Sequence, residues 1–334
     1  LSKQKRILIP LFFIFLYVLS YFLIDYSTQS LIAHDEGLYA RRARLVEETY
    51  NWFSSPFDNP HHKTIGSYWF IALSIRLFGK SEIALRLPSV IASFVCLFIS
   101  YLIAVKISNK RSALISIVAL SSIPLWIQYS RYASPDILFV LCIHLIILFF
   151  LKFLDSNKHN NRYYYIFFSG LFISFSFFIR SYMAFVPLIG LTPFLTYHLI
   201  RIKNLFKTIF FTGILIGCIP TILNLYFSYK KFGITGITSL FDFAKNQAIG
   251  MFDFDQLLYI PLNYFYLTFP VGILLIILMI FTKSNNFIKY PLLVYSYPLL
   301  SILILSCMST SYPHYYLFLL PFLSIIFGIK IYSY

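Results

Sequence analysis

Acidic residues are scarce in this sequence. Only 12 of its 334 residues are Asp or Glu, charged residues of both signs make up 12%, and hydrophobic residues make up 59%. Soluble domains of similar length usually have about a quarter of their residues charged. The composition therefore excludes an ordinary soluble domain and predicts an all-α polytopic membrane protein.

Several sequence signals are also missing. The four cysteines occur singly in apolar runs without CxxC spacing, which favours small core residues over a disulfide framework or thiolate metal site: Cys96, Cys142, Cys218 and Cys307. The sequence has no nucleotide-binding Gly-rich loop, internal repeat or separate soluble domain. Its net charge is +15, but the basic residues form short clusters between apolar runs, which indicates membrane orientation and no nucleic-acid partner.

Apolar runs of about 17 to 25 residues are long enough to span a bilayer. They predict ten spans, at 7–24, 87–105, 112–129, 137–154, 163–179, 182–200, 208–228, 257–281, 290–308 and 315–332. The first run follows Lys3, Lys5 and Arg6 and has no small-residue cleavage site, so we expect it to remain as a span.

The charge distribution orients these spans. Fifteen of the 27 basic residues lie in or beside the segments that are inside when the N-terminus is inside, and Asp155 is the only acid among them. Positive charge marks the cytoplasmic side. We therefore expect both termini to be cytoplasmic.

The stretch 163–200 is almost continuously apolar and allows two interpretations. One helix of 38 residues would be about 57 Å long, nearly twice the hydrocarbon thickness. A single helix would also move Arg201, Lys203 and Lys207 to the outside. Both arguments favour a turn at Arg180-Ser181.

Two predicted outer loops are long. The first, 25–86, contains amphipathic segments at 36–50, with Leu38, Leu45 and Val46, and at 66–79; both should lie along the membrane interface. Tyr68, Trp69, Ala72 and Ile75 form the apolar side of the second segment. The second loop, 229–256, interleaves phenylalanines with polar residues and can cover a site.

The first loop opens with Asp35 and Glu36 at the membrane edge. One interpretation is structural: Asp35 caps a helix and Glu36 complements its dipole. In the other, a carboxylate is the general base for an incoming hydroxyl. The two are compatible, because a helix N-terminus can hold a base rigidly.

Further candidates lie at the predicted outer face. Lys63 can bind an anionic phosphate, whereas His61 and His62 are weak candidates for a divalent metal; no cofactor is otherwise indicated. Ser134 as N-cap and Pro135 at the first helical position are typical of a helix start, while Arg131 and Asp136 form an ionisable pair. Arg180 suits a lipid phosphate or a snorkelling anchor. His314 and Tyr315 suit a sugar or phosphate, or an aromatic belt.

The motifs resemble those of a known family. They are DEGLYA, "HKTIGSYWFIALSIRLFGKSEIALRLPSVI", "YASPDILF", "FFIRSYMAFVPL" and "SYPHYYLFLLPFLSII". Together they resemble bacterial membrane glycosyltransferases of the protein O-mannosyltransferase and aminoarabinose transferase type, in the C superfamily of glycosyltransferase folds. The resemblance covers essentially the whole chain.

The resemblance implies roles for individual residues. Asp35 matches the acid that activates the acceptor, and Glu36 matches its acidic neighbour. Lys63 matches the basic residue before the Tyr68-Trp69 pair. The other implied substrate-binding positions are Asp136, Arg180 near the donor phosphate, and His314 in the outer motif, with Arg131 and Tyr315 beside them.

The sequence departs from the family pattern at two short motifs. Many relatives have Pro where this chain has Thr64, and Lys-Gly-Pro where it has Arg180-Ser181-Tyr182. Larger members continue into further spans and a C-terminal domain. We expect 1–334 to form one transmembrane domain without a soluble C-terminal domain.

The sequence thus predicts an inverting glycosyltransferase. It would move a sugar from a polyprenyl-phosphate donor to a lipid, glycan or protein acceptor at the outer face. A transporter or flippase of lipid-linked sugars is the main alternative, but it should place ionisable residues or broken helices near the bilayer midplane. A third alternative is a non-catalytic subunit of a cell-envelope complex.

Overall fold

The computed structural model describes residue 31 and residues 36–248, 261–264, 266–281, 288–308 and 312–333. Its regular secondary structure in these ranges is helical. The helices there are α1 (Glu36–Thr49), α2 (Gly66–Phe78), α3 (Glu82–Ile107), α4 (Lys110–Ser122), α5 (Pro124–Tyr129), α6 (Asp136–Asp155), α7 (His159–Arg180), α8 (Phe185–Leu199), α9 (Asn204–Phe232), α10 (Thr235–Ala248), α11 (Val271–Phe281), α12 (Pro291–Ser306) and α13 (Leu320–Ser333). Short 3₁₀ segments, Ser181–Ala184 and Pro313–Leu319, precede α8 and α13.

Long apolar helices dominate the described residues. Five helical stretches there are long and apolar enough to cross a membrane: Glu82–Ile107, Asp136–Asp155, Asn160–Leu199, Asn204–Phe232 and Pro313–Ser333. Val271–Ile280 and Pro291–Ser306 are shorter apolar helices. These stretches coincide with predicted spans. The predicted span 7–24, the carboxylate Asp35 and the end of the second loop lie outside the described residues.

The predicted span 112–129 is interrupted. Its helix α4 ends at Ser122, Ile123 is extended (φ −74°, ψ 120°), and Pro124 starts α5. Proline lacks an amide donor and disfavours helical backbone in the residue before it. The predicted span 112–129 therefore consists of two helical segments that are separated at the residue before this proline.

The stretch 160–199 folds back on itself at the predicted turn. The Asp136 end of α6 pairs with Arg180, the last residue of α7. Near the other end of α6, the ring of Phe150 lies 5.5 Å from that of Phe194 and 6.1 Å from that of His198, both of which are in the second half of α8. Helix α8 therefore runs back along the bundle, antiparallel to α7.

The bundle has two polar ends joined by an apolar middle. Glu36, Arg86, Asp136 and Arg180 lie at one end, hereafter the site end. Asp155 lies at the opposite end of α6, where it contacts Lys106 and Lys289. Between the ends, α7 and α9 approach closely: a Cβ on Gly213 would lie 2.2 Å from the carbonyl oxygen of Phe167.

Helices α1 and α2 pack together at the site end, but their buried faces differ from the predicted ones. In α1, Tyr39, Ala43 and Val46 are buried while Leu38 is exposed. In α2, the buried set is Tyr68, Ile71, Ala72 and Ile75, with Trp69 only partly covered. Val46, Tyr68, Ala72 and Ile75 of the predicted apolar sides are therefore buried, whereas Tyr39 is buried in α1 where Leu38 is not.

Candidate active site

Tyr39 is the centre of the polar cluster at the site end. Its side chain is buried, and its Oη accepts hydrogen bonds from Nη1 of Arg180 at 2.9 Å and Nζ of Lys63 at 3.2 Å. The ammonium of Lys63 also lies 5.2 Å from the centroid of the Tyr39 ring. Two cations that are far apart in the sequence therefore meet on one phenol oxygen.

The guanidinium of Arg180 bridges this phenol to a carboxylate. Its Nη2 lies 2.8 Å from Oδ1 of Asp136, the first residue of α6. The two side chains are only 9% and 7% exposed. The ion pair stabilises both buried groups, because a buried charge without a partner would lose its hydration without compensation. Asp136 consequently fixes the direction in which Arg180 points.

Helix α6 begins differently from the prediction. Pro135, with φ −78° and ψ −4°, occupies the cap position, and no side chain caps the helix. The predicted Ser134 cap was wrong, because the turn places Pro135 in helical backbone already. Asp136 remains in the first turn, where a carboxylate complements the helix dipole.

The loop before α2 is tied down by side chains of α9. Oδ1 of Asn224 accepts the Ile65 amide at 3.3 Å, and its Nδ2 donates to the Phe53 carbonyl at 2.8 Å. Nζ of Lys231 donates to the Ser55 and Phe57 carbonyls at 3.1 and 2.8 Å. These bonds hold the loop that carries Lys63 against the bundle.

The Tyr68 phenol extends the cluster on the side away from Arg180. It is fully buried, accepts a hydrogen bond from Nη1 of Arg42 at 3.0 Å and is hydrogen-bonded to Nε2 of His61 at 2.6 Å. Its ring centroid lies 5.7 Å from that of Tyr39. Burial raises the pKa of Tyr68, so the phenol stays protonated.

The adjacent histidines are neutral near pH 7. Burial, followed by the charge of Arg42, lowers the pKa of His61 to about 2; burial, followed by the charge of Lys63, lowers the pKa of His62 to about 4. Within the described ranges, no three His, Cys, Asp or Glu side chains cluster as metal ligands do. Two histidines alone are fewer than the three protein ligands of a usual catalytic zinc site.

Glu36 belongs to a separate buried ion pair. It is 0% exposed, and Nε and Nη2 of Arg86 each donate to one of its oxygens at 2.9 Å. The Ala133 amide donates to Oε1 at 3.0 Å. The carboxylate thus joins the start of α1 to α3 and to the turn before α6. Its oxygens are occupied by structural donors.

The remaining candidates are Tyr315 and His314, in the 3₁₀ segment before α13, and Arg131. Tyr315 is buried and interacts electrostatically with Arg180 and Asp136. Nδ1 of His314 is hydrogen-bonded to the Tyr129 hydroxyl at 3.2 Å, and its ring lies 4.7 Å from that of Tyr315. Arg131 lies half-buried in the turn between α5 and α6.

The structure therefore brings together Lys63, Asp136, Arg180 and Tyr315 around Tyr39, with Tyr68 and His314 beside them. A small cavity opens next to Lys63 and is lined by Phe57, His61 and Asn224, among others. Sequence reasoning missed Tyr39, although it lies inside the DEGLYA motif. It also missed Arg86, which partners Glu36 at a separation of 50 residues.

Comparisons with known proteins show which family the chain resembles. The family model for dolichyl-phosphate-mannose-protein mannosyltransferase matches residues 62–227. This match includes Lys63, Asp136 and Arg180. The chain therefore resembles the membrane glycosyltransferases of the protein O-mannosyltransferase and aminoarabinose transferase type.

Individual relatives support the same conclusion. The undecaprenyl phosphate-α-4-amino-4-deoxy-L-arabinose arabinosyl transferase of Shewanella sediminis is 26% identical over 204 residues, covering 59% of this chain and 36% of that protein. Its counterpart in Pseudomonas aeruginosa strain UCBPP-PA14 is 24% identical over 182 residues, covering 53% of this chain and 33% of that protein. The resemblance expected from the motifs is confirmed.

Solved structures share the fold. ArnT from Cupriavidus metallidurans bound to undecaprenyl phosphate matches with a TM-score of 0.80 and 15% identity, over 100% of this chain and 61% of that one. Its apo form matches with a TM-score of 0.74 and 16% identity, over 96% and 60%. The chain spans about a third of the length of the curated relatives and three fifths of the solved structures.

Proposed function

We propose that this protein transfers a sugar from a polyprenyl-phosphate donor to an acceptor at the outer face of a bacterial inner membrane. The observation that carries the proposal is the convergence of Lys63 and Arg180 on the Tyr39 hydroxyl. Two cations beside one small neutral acceptor form a site for a further anion. The relatives named above use undecaprenyl phosphate, whose phosphate is such an anion.

The cluster suits the leaving group of the reaction. In an inverting transfer, the acceptor oxygen attacks the anomeric carbon as the bond between that carbon and the phosphate oxygen breaks. Negative charge then grows on the departing phosphate. Lys63 and Arg180 would stabilise this charge, which is how positioned cations lower such barriers. Asp136 would keep Arg180 in place, and Tyr39 would set the distance between the two cations.

We assign the general base to Asp35. It directly precedes α1 in the sequence, and in the resemblance it matches the acid that activates the acceptor. The base takes the proton from the acceptor oxygen as that oxygen attacks. Glu36 we assign to holding the start of α1, because Arg86 and the Ala133 amide occupy its oxygens.

The other candidates would shape the substrate pocket. Tyr315 and His314 would contact the sugar on the α13 side, and Tyr68 would border the phosphate site. Arg131, in the turn before α6, would face a second anionic group of donor or acceptor. The acceptor is a lipid, glycan or protein, and membrane lipids would surround the apolar bundle.

The described charges favour a transferase over a flippase. A transporter needs polar groups along a path through the membrane. Here the acid–base pairs among the described residues gather at the two ends of the bundle, as in Arg180–Asp136 and Lys106–Asp155.

A transfer assay tests the proposal. Purified protein in lipid vesicles is supplied with radiolabelled polyprenyl-phosphate sugars and membrane extract, and released polyprenyl phosphate is measured. We expect turnover by the wild type and a loss of at least about 100-fold in Asp35→Asn, because a positioned base contributes about that much. Asp58→Asn, in the same loop, is the control. Equal turnover in Asp35→Asn would refute the assigned base.

A further inference from the structure

Thr64 follows Lys63 in the sequence and Ser181 follows Arg180, and these two following residues contact each other. The Thr64 amide donates to Oγ of Ser181 at 2.9 Å. The two hydroxyls, Oγ1 of Thr64 and Oγ of Ser181, are also 2.9 Å apart and hydrogen-bonded. Both residues are buried. This double contact, here termed the Thr64–Ser181 clasp, joins the first loop to the end of α7.

Ser181 makes the clasp from an unfavourable backbone conformation. Its φ of 51° and ψ of −137° lie in a region that glycine enters freely and other residues rarely adopt. A non-glycine residue persists there only when surrounding contacts hold it. The observed contacts of its side chain are the two with Thr64. Serine at position 181 is therefore strained in its backbone, but it provides a hydroxyl group that glycine would lack.

The clasp lies one residue from each cation of the proposed phosphate site. Ser181 follows Arg180, whose position is set by Asp136 and Tyr39. Thr64 follows Lys63, whose loop is otherwise tied to α9. Besides the clasp, the Thr64 hydroxyl donates to the Phe177 carbonyl in the last turn of α7 at 3.4 Å. Thr64 thus holds the Lys63 loop against the end of α7, and Ser181 provides two of its three hydrogen bonds there. These contacts set the spacing between the two cations.

We infer that Thr64 and Ser181 are positioning residues that hold Lys63 beside Arg180 so that both cations meet one phosphate group of the donor. The inference rests on the proposed function for the identity of the ligand, but the clasp itself is a property of the chain. Both positions are those at which the sequence departs from the family pattern. Proline at 64 would lack the amide donor and glycine at 181 would lack the acceptor, so the two departures complement each other.

Ser181→Gly is the decisive variant. Glycine accepts the observed φ without strain but removes both hydrogen bonds to Thr64. Thermal stability should therefore stay within a few degrees of the wild type. Ser181→Ala removes the hydroxyl and keeps the strain, so it should lower stability further. Ser169→Ala is the matched control, since Ser169 is equally buried and donates to the Ile146 carbonyl at 3.2 Å.

Lysine reactivity tests the clasp without any ligand. Purified protein is treated with a water-soluble amine-acylating reagent, and acylation of Lys63 is followed by peptide mass spectrometry relative to the exposed Lys110. Ser181→Gly and Thr64→Val should raise the Lys63 rate at least about threefold, because the loop opens more often. Thr64→Ser should restore the wild-type rate. An unchanged Lys63 rate in Ser181→Gly would overturn the inference.

Binding of a polyprenyl monophosphate gives the functional measurement. Ser181→Gly should bind it about five- to tenfold more weakly than the wild type and Ser169→Ala, an effect on the scale of one lost hydrogen bond. Wild-type affinity in Ser181→Gly would overturn the positioning role. Absence of binding by the wild type would instead refute the proposed function, and the Lys63 rates would still decide whether the clasp exists.

Discussion

Two clusters at opposite ends of the bundle have similar composition and different organisation. Each contains two cations, one carboxylate and a hydrogen-bonded tyrosine hydroxyl, and the site end also has Tyr315. At the opposite end, Nζ of Lys106 and Nζ of Lys289 both contact Asp155, at 2.5 and 2.6 Å, and Tyr290 donates to the same carboxylate at 2.7 Å. At the site end, Asp136 contacts Arg180, while the ammonium of Lys63 is bonded to a neutral phenol.

The two clusters also differ in the solvent exposure of their charged side chains. Lys289 is 57% exposed, so solvent and lipid headgroups compensate the excess charge at the opposite end. Arg180 and Asp136 are almost completely covered. Because these two charges neutralise each other, the excess charge at the site end is that of the half-buried Lys63, whose ammonium is bonded to a neutral phenol. A partly desolvated cation bonded to a neutral group gains from a bound anion. The comparison supports the anion-binding role proposed for the Tyr39 cluster and favours a structural role for the Asp155 cluster.

The largest difference should appear when one cation is removed from each cluster. Arg180→Leu leaves Asp136 buried without its partner and should lower the free energy of unfolding by about 3 to 5 kcal/mol. Lys289→Leu removes an exposed cation and should cost at most about 1 kcal/mol. Denaturant titration of both variants in the same detergent measures this. Similar losses would show that the two clusters do not differ in burial energetics.

Removing the hydroxyl at the centre of each cluster should give a smaller, functional difference. Tyr39→Phe deletes the oxygen shared by Lys63 and Arg180, and should weaken binding of a polyprenyl monophosphate about tenfold. Tyr290→Phe deletes the corresponding hydroxyl at the opposite end and should leave binding unchanged. Isothermal titration in detergent compares them. Equal affinities would remove Tyr39 from the phosphate site.

Much of this contrast could be anticipated from the sequence. Apolar run length and positive charge placed Asp136 and Arg180 at one end and Asp155 at the other, and the same two arguments gave the turn at Arg180-Ser181. The clusters themselves could not be anticipated. Pairing of Tyr39 with Arg180, or of Glu36 with Arg86, depends on how helices rotate about their axes, which apolar helices with hydrophobic residues on every side do not encode.

Local backbone chemistry explains the other misses. Pro124 was treated as part of an apolar run, although its missing amide breaks the helix there. Ser134 was expected to cap α6, but Pro135 already has helical backbone angles. Leu38, on the predicted apolar side of the first segment, is exposed, whereas Tyr39, Ala43 and Val46 of α1 are buried.

The weakest expected effect concerns pH at the site end. The pKa values of His61 and His62 lie well below the unfolded value, so the unfolded chain binds more protons as the pH falls below about 6.5. Stability should therefore decrease from pH 6.5 toward pH 4, by about 1 kcal/mol after allowance for solvent screening. The double variant His61→Gln/His62→Gln should flatten this dependence in thermal unfolding scans. An unaltered slope would place its origin elsewhere.

Lys63 provides the most direct test of the central claim, that the Tyr39 cluster binds the phosphate of the donor. The affinity of the purified protein for a polyprenyl monophosphate is measured for the wild type, Lys63→Met and Lys106→Met. We predict that Lys63→Met binds at least about tenfold more weakly, since a charge-assisted contact of about 1.5 kcal/mol or more is lost. Lys106→Met, at the opposite end, should bind like the wild type. Equal affinity in all three proteins would contradict the account.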